Sequence, residues 1–348
     1  MNEHRFYIGG YARPGQPGLL KCRLDLTSSR LETLSENTEL LNPSWVLAHP
    51  EKPVVYAVEE DKPEGRLAVM DMDGDTLRKR ASLPTGGADP CHICLSPEGR
   101  HLLVSNYSSG SLAVFALDAE GLPAGMTDFH QHEMDDAARQ GANPLRQEAP
   151  HVHFCAFHGG QAYVNDLGLN RIVVYDWDGT RGRLTPAGAS IPFPAGSGPR
   201  HSAFGADGKT LCALCELTAM IHVFRWDGGW QPTQRASIVS EDFAAFEAHE
   251  WSTGAAIRQV DARTLCATAR GDNTLAVFDI APDGRLTLRQ LIALDGRTPR
   301  DFNAFGDALV VALQDSGRVV VYRKDAGSLY QKTDAEMPAV KPTCVAKI

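Results

Sequence analysis

Three charged residues at the ends of apolar segments could together bind an anion. Arg200 follows a proline at the start of one such segment, while Glu216 and Arg270 each end a six-residue run. Two guanidinium groups and one carboxylate brought together would form either a salt-bridge cluster or a site for an anionic ligand. His151, which also follows a proline, adds a group whose ordinary pKa lies near neutrality and that could move a proton.

The elements that must position these residues form a repeat. Seven times, a six-residue run that ends in a polar residue is followed by a short turn and a second run of alternating apolar character. Successive first runs begin 44 to 60 residues apart, which is the period of a four-stranded propeller blade and too long for helical repeats such as TPR. The sequence therefore predicts an all-β, seven-bladed β-propeller. The first runs are residues 6–11, 54–59, 101–106, 161–166, 211–216, 265–270 and 309–314.

The order of the repeat predicts how the ring closes. A Pro-containing segment precedes most first runs, but the segment that should precede run 6–11 lies at the other end of the chain, around Pro342. We therefore expect the C-terminal strand to join the N-terminal blade, which would remove exposed sheet edges. Because the repeat runs without a break from residue 6 to residue 324, we predict a single domain over residues 1–348.

The repeat also predicts a polar cluster at one mouth of the axial channel. The start of an inner strand and the end of its antiparallel neighbour lie at the same end of a blade. For an isolated residue such as Tyr11, a solvated blade end is the more common explanation, whereas the trio of two arginines and a carboxylate is more informative. Strand starts contribute His92, His151, Arg200 and Arg300, and strand ends contribute Tyr11, Glu59, Asn106, Asp166, Glu216, Arg270 and Gln314.

The composition limits the possible ligands and locations. A net charge of −9 argues against nucleic-acid binding, because phosphate binding requires a basic face. No apolar run reaches the roughly 20 residues of a membrane-spanning helix. No apolar signal segment precedes the first repeat, so we expect a cytoplasmic protein without membrane contact.

The eight cysteines do not indicate a metal site. Two pairs, Cys91/Cys94 and Cys212/Cys215, have the spacing of a metal knuckle. In a strand, however, residues three apart point to opposite faces. We therefore predict reduced, mostly buried thiols, no bound metal and no cofactor.

The longest interval, between the third and fourth repeats, contains a polar stretch at residues 128–136 that combines histidines with acidic residues. A solvated loop is the more common outcome for this composition than a metal site. Because the insertion ends near Gln147 and His151, it could form a lid or wall at the channel mouth.

At these positions the sequence resembles the lactonase family of seven-bladed propellers, which includes bacterial propeller-type 6-phosphogluconolactonases and fungal carboxymuconate lactonizing enzymes. The resemblance extends over nearly the whole chain. It implies that His151, Arg200, Glu216 and Arg270 form the functional group. Cys215, and Thr268 with Ala269, replace residues that often precede the family's Glu and Arg, which leaves the substrate undefined. The stretches that carry the resemblance are residues 143–153 (NPLRQEAPHVH), 198–201 (GPRH), 215–217 (CEL), 270–278 (RGDNTLAVF), 96–100, 105–107 and 314–316.

Lactone hydrolysis requires a base to activate water, a donor for the developing oxyanion and an acid for the leaving alkoxide. Either Glu216 or His151 could be the base. We favour His151, with Glu216 as the residue that orients it or a water, because flanking arginines would lower the pKa of Glu216. Arg200 and Arg270 would hold the substrate and the oxyanion. His153 is two residues from His151, so strand alternation would place it on the same face as a supporting group.

The predicted partner is a small anionic lactone, either 6-phosphogluconolactone-like or an unphosphorylated aldono- or aldaro-lactone. A phosphate would need additional ligands, for which His92, Arg146 and Arg300 are candidates. The substrate-binding residues predicted from the sequence are His92, Asn106, Gln147, Asp166, Arg300, Gln314 and Glu59.

Two other functions use the same residues or the same fold. An intramolecular lyase of the lactonizing type would close the ring by adding a carboxylate to an alkene. A non-catalytic propeller would serve as an interaction platform. A platform needs apolar anchors on an outer rim, whereas the informative residues here converge at the predicted channel, so we favour an enzyme. The sequence does not define its oligomeric state, and we favour a monomer.

Overall fold

Residues 2–240 and 253–348 are described in a computed structural model. Within these ranges the chain forms strands almost throughout, with one four-residue helix, α1 (Asp136–Arg139). The first fourteen strands are β1 (Glu3–Gly10), β2 (Leu19–Asp25), β3 (Arg30–Asn37), β4 (Val46–Ala48), β5 (Val54–Glu59), β6 (Arg66–Asp73), β7 (Thr76–Pro84), β8 (Pro90–Leu95), β9 (His101–Asn106), β10 (Ser111–Leu117), β11 (Pro123–Gln131), β12 (Val152–His158), β13 (Gln161–Asp166) and β14 (Arg171–Asp178). The others are β15 (Arg183–Pro192), β16 (Pro199–Phe204), β17 (Thr210–Cys215), β18 (Met220–Trp226), β19 (Trp230–Ser237), β20 (Gly254–Asp261), β21 (Thr264–Ala269), β22 (Thr274–Ile280), β23 (Leu286–Ala293), β24 (Pro299–Phe305), β25 (Ala308–Leu313), β26 (Arg318–Lys324), β27 (Tyr330–Pro338) and β28 (Pro342–Lys347).

The strands form seven four-stranded sheets, which we call blades 1 to 7. Blade 1 has the order β28-β1-β2-β3, and blades 2 to 7 each contain four consecutive strands, from β4–β7 to β24–β27. The all-β, seven-bladed architecture predicted from the repeat is confirmed, and so is the joining of the C-terminal strand to the N-terminal blade.

The chain divides into two compact units. Unit 1 comprises residues 1–131, 178–183 and 300–348 and contains blades 1, 2, 3 and 7. Unit 2 comprises residues 132–177 and 184–299 and contains blades 4, 5 and 6. The single-domain reading of the sequence stays a prediction.

The predicted first runs are the second strands of the blades. Strands β5, β9 and β13 have the predicted bounds, and their central residues are mostly apolar and buried on both faces, as expected for strands packed between neighbouring blades. Strands β17, β21 and β25 end one residue earlier than predicted. Glu216, Arg270 and Gln314 therefore follow their strands directly, at the start of the next turn.

Prolines mark the beginnings of the inner strands, as predicted. Pro90, Pro199, Pro299 and Pro342 are the first residues of β8, β16, β24 and β28. A proline at this position loses no ladder hydrogen bond and fixes where the strand starts. Each following residue is thereby placed at one end of its blade, which is how Arg200 and Arg300 come to lie at the starts of their strands.

The closure of blade 1 is packed as well as hydrogen-bonded. Phe6 and Ile8 of β1 pair with β28, with Ile8 opposite Val345. Val345 is fully buried in a core that also contains Val310 of blade 7. The backbone N–H of Val345 donates to Asp301 Oδ2 at 2.9 Å, so a buried carboxylate ties the closing strand to blade 7.

The polar insertion differs from the predicted solvated loop. Residues 128–131 continue the edge strand β11, and His132 is buried. Its ring binds Asp166 Oδ2 through Nδ1 at 2.7 Å and the Tyr175 hydroxyl through Nε2 at 2.9 Å. Both ring nitrogens of His132 have hydrogen-bond partners, and these bonds offset the cost of removing the ring from water.

The cysteines behave as small apolar residues. All eight are free, and all but Cys94 are buried. Burial raises the pKa of the Cys212 thiol to about 12, which leaves it protonated and unreactive at neutral pH. In the part of the chain that the structure describes, no helix is long and apolar enough to cross a membrane.

Shortening the closing strand's buried side chain should destabilise the fold. We expect Val345→Ala to lower the free energy of unfolding by about 2–3 kcal/mol, because it leaves a cavity in a filled core. Ile348→Ala, at an exposed position three residues later, is the matched control and should leave the urea midpoint unchanged. Unfolding in urea is monitored by tryptophan fluorescence. Equal midpoints for the two variants would contradict the packing described here.

Candidate active site

Three arginines of unit 2 converge on one buried carboxylate, Glu216. Arg200 Nε and Arg270 Nη2 each lie 2.9 Å from Glu216 Oε2. Arg146 Nη2 donates to the other oxygen, Oε1. The side chains of Arg200 and Glu216 are each only 3% exposed, whereas that of Arg146 is 35% exposed. We call these four residues the Glu216 cluster.

The backbone at the ends of blades 5 and 6 fixes this geometry. The Glu216 N–H donates to the carbonyl of Gly198 at 2.7 Å, and the Glu216 carbonyl accepts from the Gly254 N–H at 2.9 Å. The Arg270 N–H donates to the carbonyl of Thr253 at 2.9 Å. The end of β17 is therefore tied to the start of its own inner strand and to the start of blade 6, as the register argument predicted. Adding a Cβ at Gly254 would bring it within 2.8 Å of the Cys215 carbonyl, so this close approach requires glycine.

The charge state of Glu216 follows from two opposing effects. Complete burial would raise the pKa of the carboxyl, but the positive charges of Arg270, Arg200 and Arg146 outweigh burial and hold the pKa well below its usual range. Glu216 is therefore ionised at neutral pH, as the sequence argument expected. Within the cluster, three guanidinium groups surround one carboxylate, so positive charge exceeds negative charge.

His201 and the Ala255 carbonyl contact the Arg200 guanidinium group. Its Nη1 lies 3.0 Å from His201 Nε2 and also donates to the Ala255 carbonyl. The His201 ring packs edge-on against His153, with ring centroids 5.2 Å apart. The register of β12 shifts between Val152 and Phe154, so the strand alternation used to place His153 is interrupted there. His153 nevertheless lies close enough for its charge to lower the pKa of Glu216.

Arg146 is presented by a turn that Gln147 anchors. The buried Gln147 side chain donates through Nε2 to the Leu167 carbonyl and to Asn170 Oδ1, both at 2.7 Å. Its Oε1 accepts from the Asn143 N–H at 2.8 Å. All polar atoms of the amide are used within the protein. In the structure Gln147 positions Arg146, and its contact with substrate stays a prediction.

His151 lies at the start of blade 4 and is held by Asp166. The Asp166 Oδ1 accepts from the backbone N–H groups of His151 at 2.8 Å and Leu169 at 2.9 Å, and its Oδ2 contacts His132. Asp166 is fully buried and both of its oxygens have partners within the protein, and its role as a direct substrate ligand stays a prediction. The His151 ring is buried, and its Nε2 lies 3.2 Å from the exposed carboxylate of Glu148.

The remaining predicted residues belong to unit 1. Arg300 Nη2 donates to the Tyr11 hydroxyl at 2.9 Å, and Tyr11 donates to Glu60 Oε1 at 3.0 Å. Burial raises the pKa of Glu60, against the opposing effects of Arg300 and of hydrogen bonds from Ser44 and Tyr11. The sequence analysis names the neighbouring Glu59, and not Glu60, as a predicted substrate-binding residue.

Glu59 faces the other side of its strand. Its carboxylate accepts from Lys79 Nζ at 2.9 Å and from the Ser82 hydroxyl at 2.7 Å, and both partners belong to the outer strand β7. Whether Glu59 binds a ligand stays a prediction. Strand β5 ends at Glu59, as predicted, so Glu60 is the first residue beyond the strand and strand alternation does not place its side chain.

The other unit 1 candidates lie at blade ends in mixed environments. Asn106 is fully buried, and its Nδ2 donates to the Ser111 hydroxyl at 3.1 Å, which fixes a turn, while its contact with substrate stays a prediction. The His92 ring packs against Trp45 with centroids 4.5 Å apart. Gln314 Nε2 donates to Asp315 Oδ1 at 3.1 Å.

The sequence analysis does not identify Arg146 as a partner of Glu216. Arg146 was considered only as a phosphate ligand, because it lies outside the repeat and strand register does not apply to it. Its position next to Gln147 within the family-like stretch 143–153 was the available signal. No group of three or more His, Cys, Asp or Glu residues is arranged to hold a metal ion within residues 2–240 and 253–348.

Comparison with known proteins shows which family this chain resembles. A sequence profile described as "Lactonase, 7-bladed beta-propeller" matches residues 5–347. The chain is 28% identical to the 6-phosphogluconolactonase of Bacillus subtilis over 338 residues, covering 93% of this chain and 92% of the relative. It is 26% identical to a 6-phosphogluconolactonase of Formosa agariphila, covering 92% of each chain.

A solved structure agrees with these relatives. The periplasmic gluconolactonase of Pseudomonas aeruginosa superposes with a TM-score of 0.88 at 26% identity, covering 99% of this chain and 98% of that one. The profile match extends over all seven blades and includes every residue of the Glu216 cluster. The chain therefore belongs to the lactonase family of seven-bladed β-propellers.

Proposed function

We propose that this chain hydrolyses the lactone of an anionic sugar acid to the open-chain acid, with 6-phosphogluconolactone as the first substrate to test. The observation that carries the proposal is the excess of guanidinium groups around Glu216. Such a cluster favours a ligand that brings negative charge. The names of the relatives support a lactone, and the charge supports an anionic one.

The reaction has simple requirements. The oxygen of water forms a bond to the lactone carbonyl carbon, the ring C–O bond breaks, and the proton lost by water ends on the leaving alkoxide. Preorganised donors lower the barrier by stabilising the negative charge that develops on the carbonyl oxygen. Arg270, which is 15% exposed, is the proposed donor to that oxygen, and the more exposed Arg146 can reach the anionic group of the substrate.

His151 is the proposed base. It takes the proton from water and returns it to the alkoxide, because an imidazole can both accept and donate a proton. Its backbone is fixed by Asp166, and its ring nitrogen faces the exposed Glu148. Glu216 is a poor base because its pKa is lowered, so its role is to orient the arginines and the bound ligand.

Replacing His151 should remove catalysis without unfolding the protein. We expect His151→Asn to lower kcat for 6-phosphogluconolactone by about 10²–10⁴-fold, the usual contribution of a general base. The measurement is pH-indicator hydrolysis, run beside unphosphorylated aldono- and aldaro-lactones. His158→Asn, at the other end of β12, is the control and should retain full activity. Equal activity in both variants would show that another residue is the base. Ring closure by the wild type would favour the lyase, and no turnover of any lactone would favour the scaffold.

The pH dependence of stability should report the charge of Glu216. Its pKa is lower in the folded chain than in the unfolded chain, so the ionised form stabilises the fold above the ordinary Glu pKa and less so as the pH falls below it. At pH 7, Glu216→Gln should destabilise by about 3–5 kcal/mol, because three arginines lose their shared carboxylate.

Urea unfolding of the wild type and Glu216→Gln between pH 7 and pH 3 tests this. The difference between the two proteins should be constant at higher pH and should shrink below about pH 4.3, the ordinary Glu value. A difference that grows on acidification would show that Glu216 is not the stabilising anion of the cluster. Exposed Glu51→Gln provides the matched control and should show no such trend.

A further inference from the structure

The two oxygens of Glu216 are held in different ways. Oε2 is bound by Arg200 and Arg270, which come from the ends of blades 5 and 6 and are mostly buried. Among the described residues, Oε1 is bound by Arg146 alone, and Arg146 is the most exposed arginine of the cluster. Solvent and an entering ligand therefore meet Arg146 first.

The turn that carries Arg146 is rigid at its base and open at its tip. Gln147 is 3% exposed and clamps the turn to the connection between β13 and β14, whereas Leu145, on the other side of Arg146, is 74% exposed. The Arg146 N–H donates to the Asn143 carbonyl at 3.2 Å, which closes the turn. A fixed backbone with a long, partly exposed side chain lets the guanidinium exchange partners without moving the loop.

The same anchor reaches Arg200. Asn170 Oδ1 accepts from Gln147 Nε2 at 2.7 Å and also from the Gly198 N–H at 3.0 Å. Gly198 lies two residues before Arg200, and its carbonyl accepts the Glu216 N–H. One amide oxygen thus sets the position of the exchangeable arginine relative to the fixed one.

Resting on the proposed function, we propose that Arg146 is a substrate-operated lock on Glu216. In the free protein Arg146 occupies Oε1. The anionic group of the substrate draws the Arg146 guanidinium to itself, and Oε1 becomes an acceptor for a substrate hydroxyl or a water. Arg200 and Arg270 keep Oε2 in place during the exchange. The ligand recognised by Arg146 is an oxyanion, a phosphate or carboxylate, carried on the lactone away from the ring carbonyl.

The lock makes a prediction that a simple binding arginine does not. If Arg146 only bound the anion, its removal would weaken anionic substrates and leave unphosphorylated gluconolactone unaffected. If Arg146 also occupies Oε1, a free oxyanion should activate the wild type toward gluconolactone, because it unlocks Oε1 without being part of the substrate. Removing Arg146 should then abolish that activation.

The experiment compares wild type, Arg146→Met and Arg139→Met with gluconolactone, with and without inorganic phosphite, and with 6-phosphogluconolactone. Phosphite should raise wild-type kcat/KM for gluconolactone on the order of 10-fold, the effect of releasing one charge-assisted hydrogen bond. Arg146→Met should no longer respond to phosphite, and it should lose about 100-fold in kcat/KM for 6-phosphogluconolactone, a larger loss than for gluconolactone. Arg139→Met, an exposed arginine at the end of α1, should match the wild type.

Phosphite that only inhibits the wild type, or that still activates Arg146→Met, would overturn the lock. Equal losses on both lactones in Arg146→Met would overturn it as well, in favour of a structural role for Arg146. If the wild type hydrolyses no lactone, the proposed function fails, and the lock is tested by titrating inorganic phosphate into protein with 15N-labelled arginine. The Arg146 side-chain signal, identified by its loss in Arg146→Met, should shift with phosphate, and a signal unchanged at saturation would contradict partner exchange.

Discussion

The site depends on a carboxylate that is removed from water and therefore requires cations around it. Desolvation alone would favour the neutral form of Glu216, and the ionised form persists because Arg146, Arg200 and Arg270 surround it. This requirement is mutual. Each arginine is held at the end of a blade or on an anchored turn because the carboxylate gives it a fixed partner. The chemistry available to the site follows from this preorganised, positively charged arrangement.

A comparison within the same chain shows how the number of cations decides the result. Glu60 of unit 1 is also buried and also occurs just after the second strand of its blade, yet its pKa is raised. Its neighbours are one arginine, Arg300, and two hydroxyl groups, and these are too few to overcome desolvation. The blade repeat therefore places carboxylates at equivalent positions, and the surrounding residues give them opposite protonation behaviour. Between these two glutamates, Glu216 is the one that three arginines hold in its ionised form at neutral pH.

Much of this could be predicted from the sequence because the repeat has a strict physical basis. Strand alternation, prolines at strand starts and polar residues at strand ends fixed seven blades, their closure by β28 and the approach of Arg200, Glu216 and Arg270. The failures occur where periodicity stops. Glu60 lies just beyond the last residue of β5, where strand register no longer applies, and the register shift in β12 interrupts the alternation used to place His153.

Residues outside the repeat could not be placed by register at all. Gln147 and Asp166 look like ligands by residue type, but their polar atoms satisfy buried backbone groups, a need that becomes visible only when the turns are folded. Arg146 shows the reverse case: it was an ordinary charged residue in the sequence, and its contact with Glu216 gives it a central position. In this fold the repeated strands determine where a site can lie, and in the proposed lock the non-repeating turn that carries Arg146 determines how the site responds to a ligand. Specificity among related propellers is therefore expected to vary with such turns more than with the blade ends, because a turn can change its side chains without disturbing a strand register on which every blade depends.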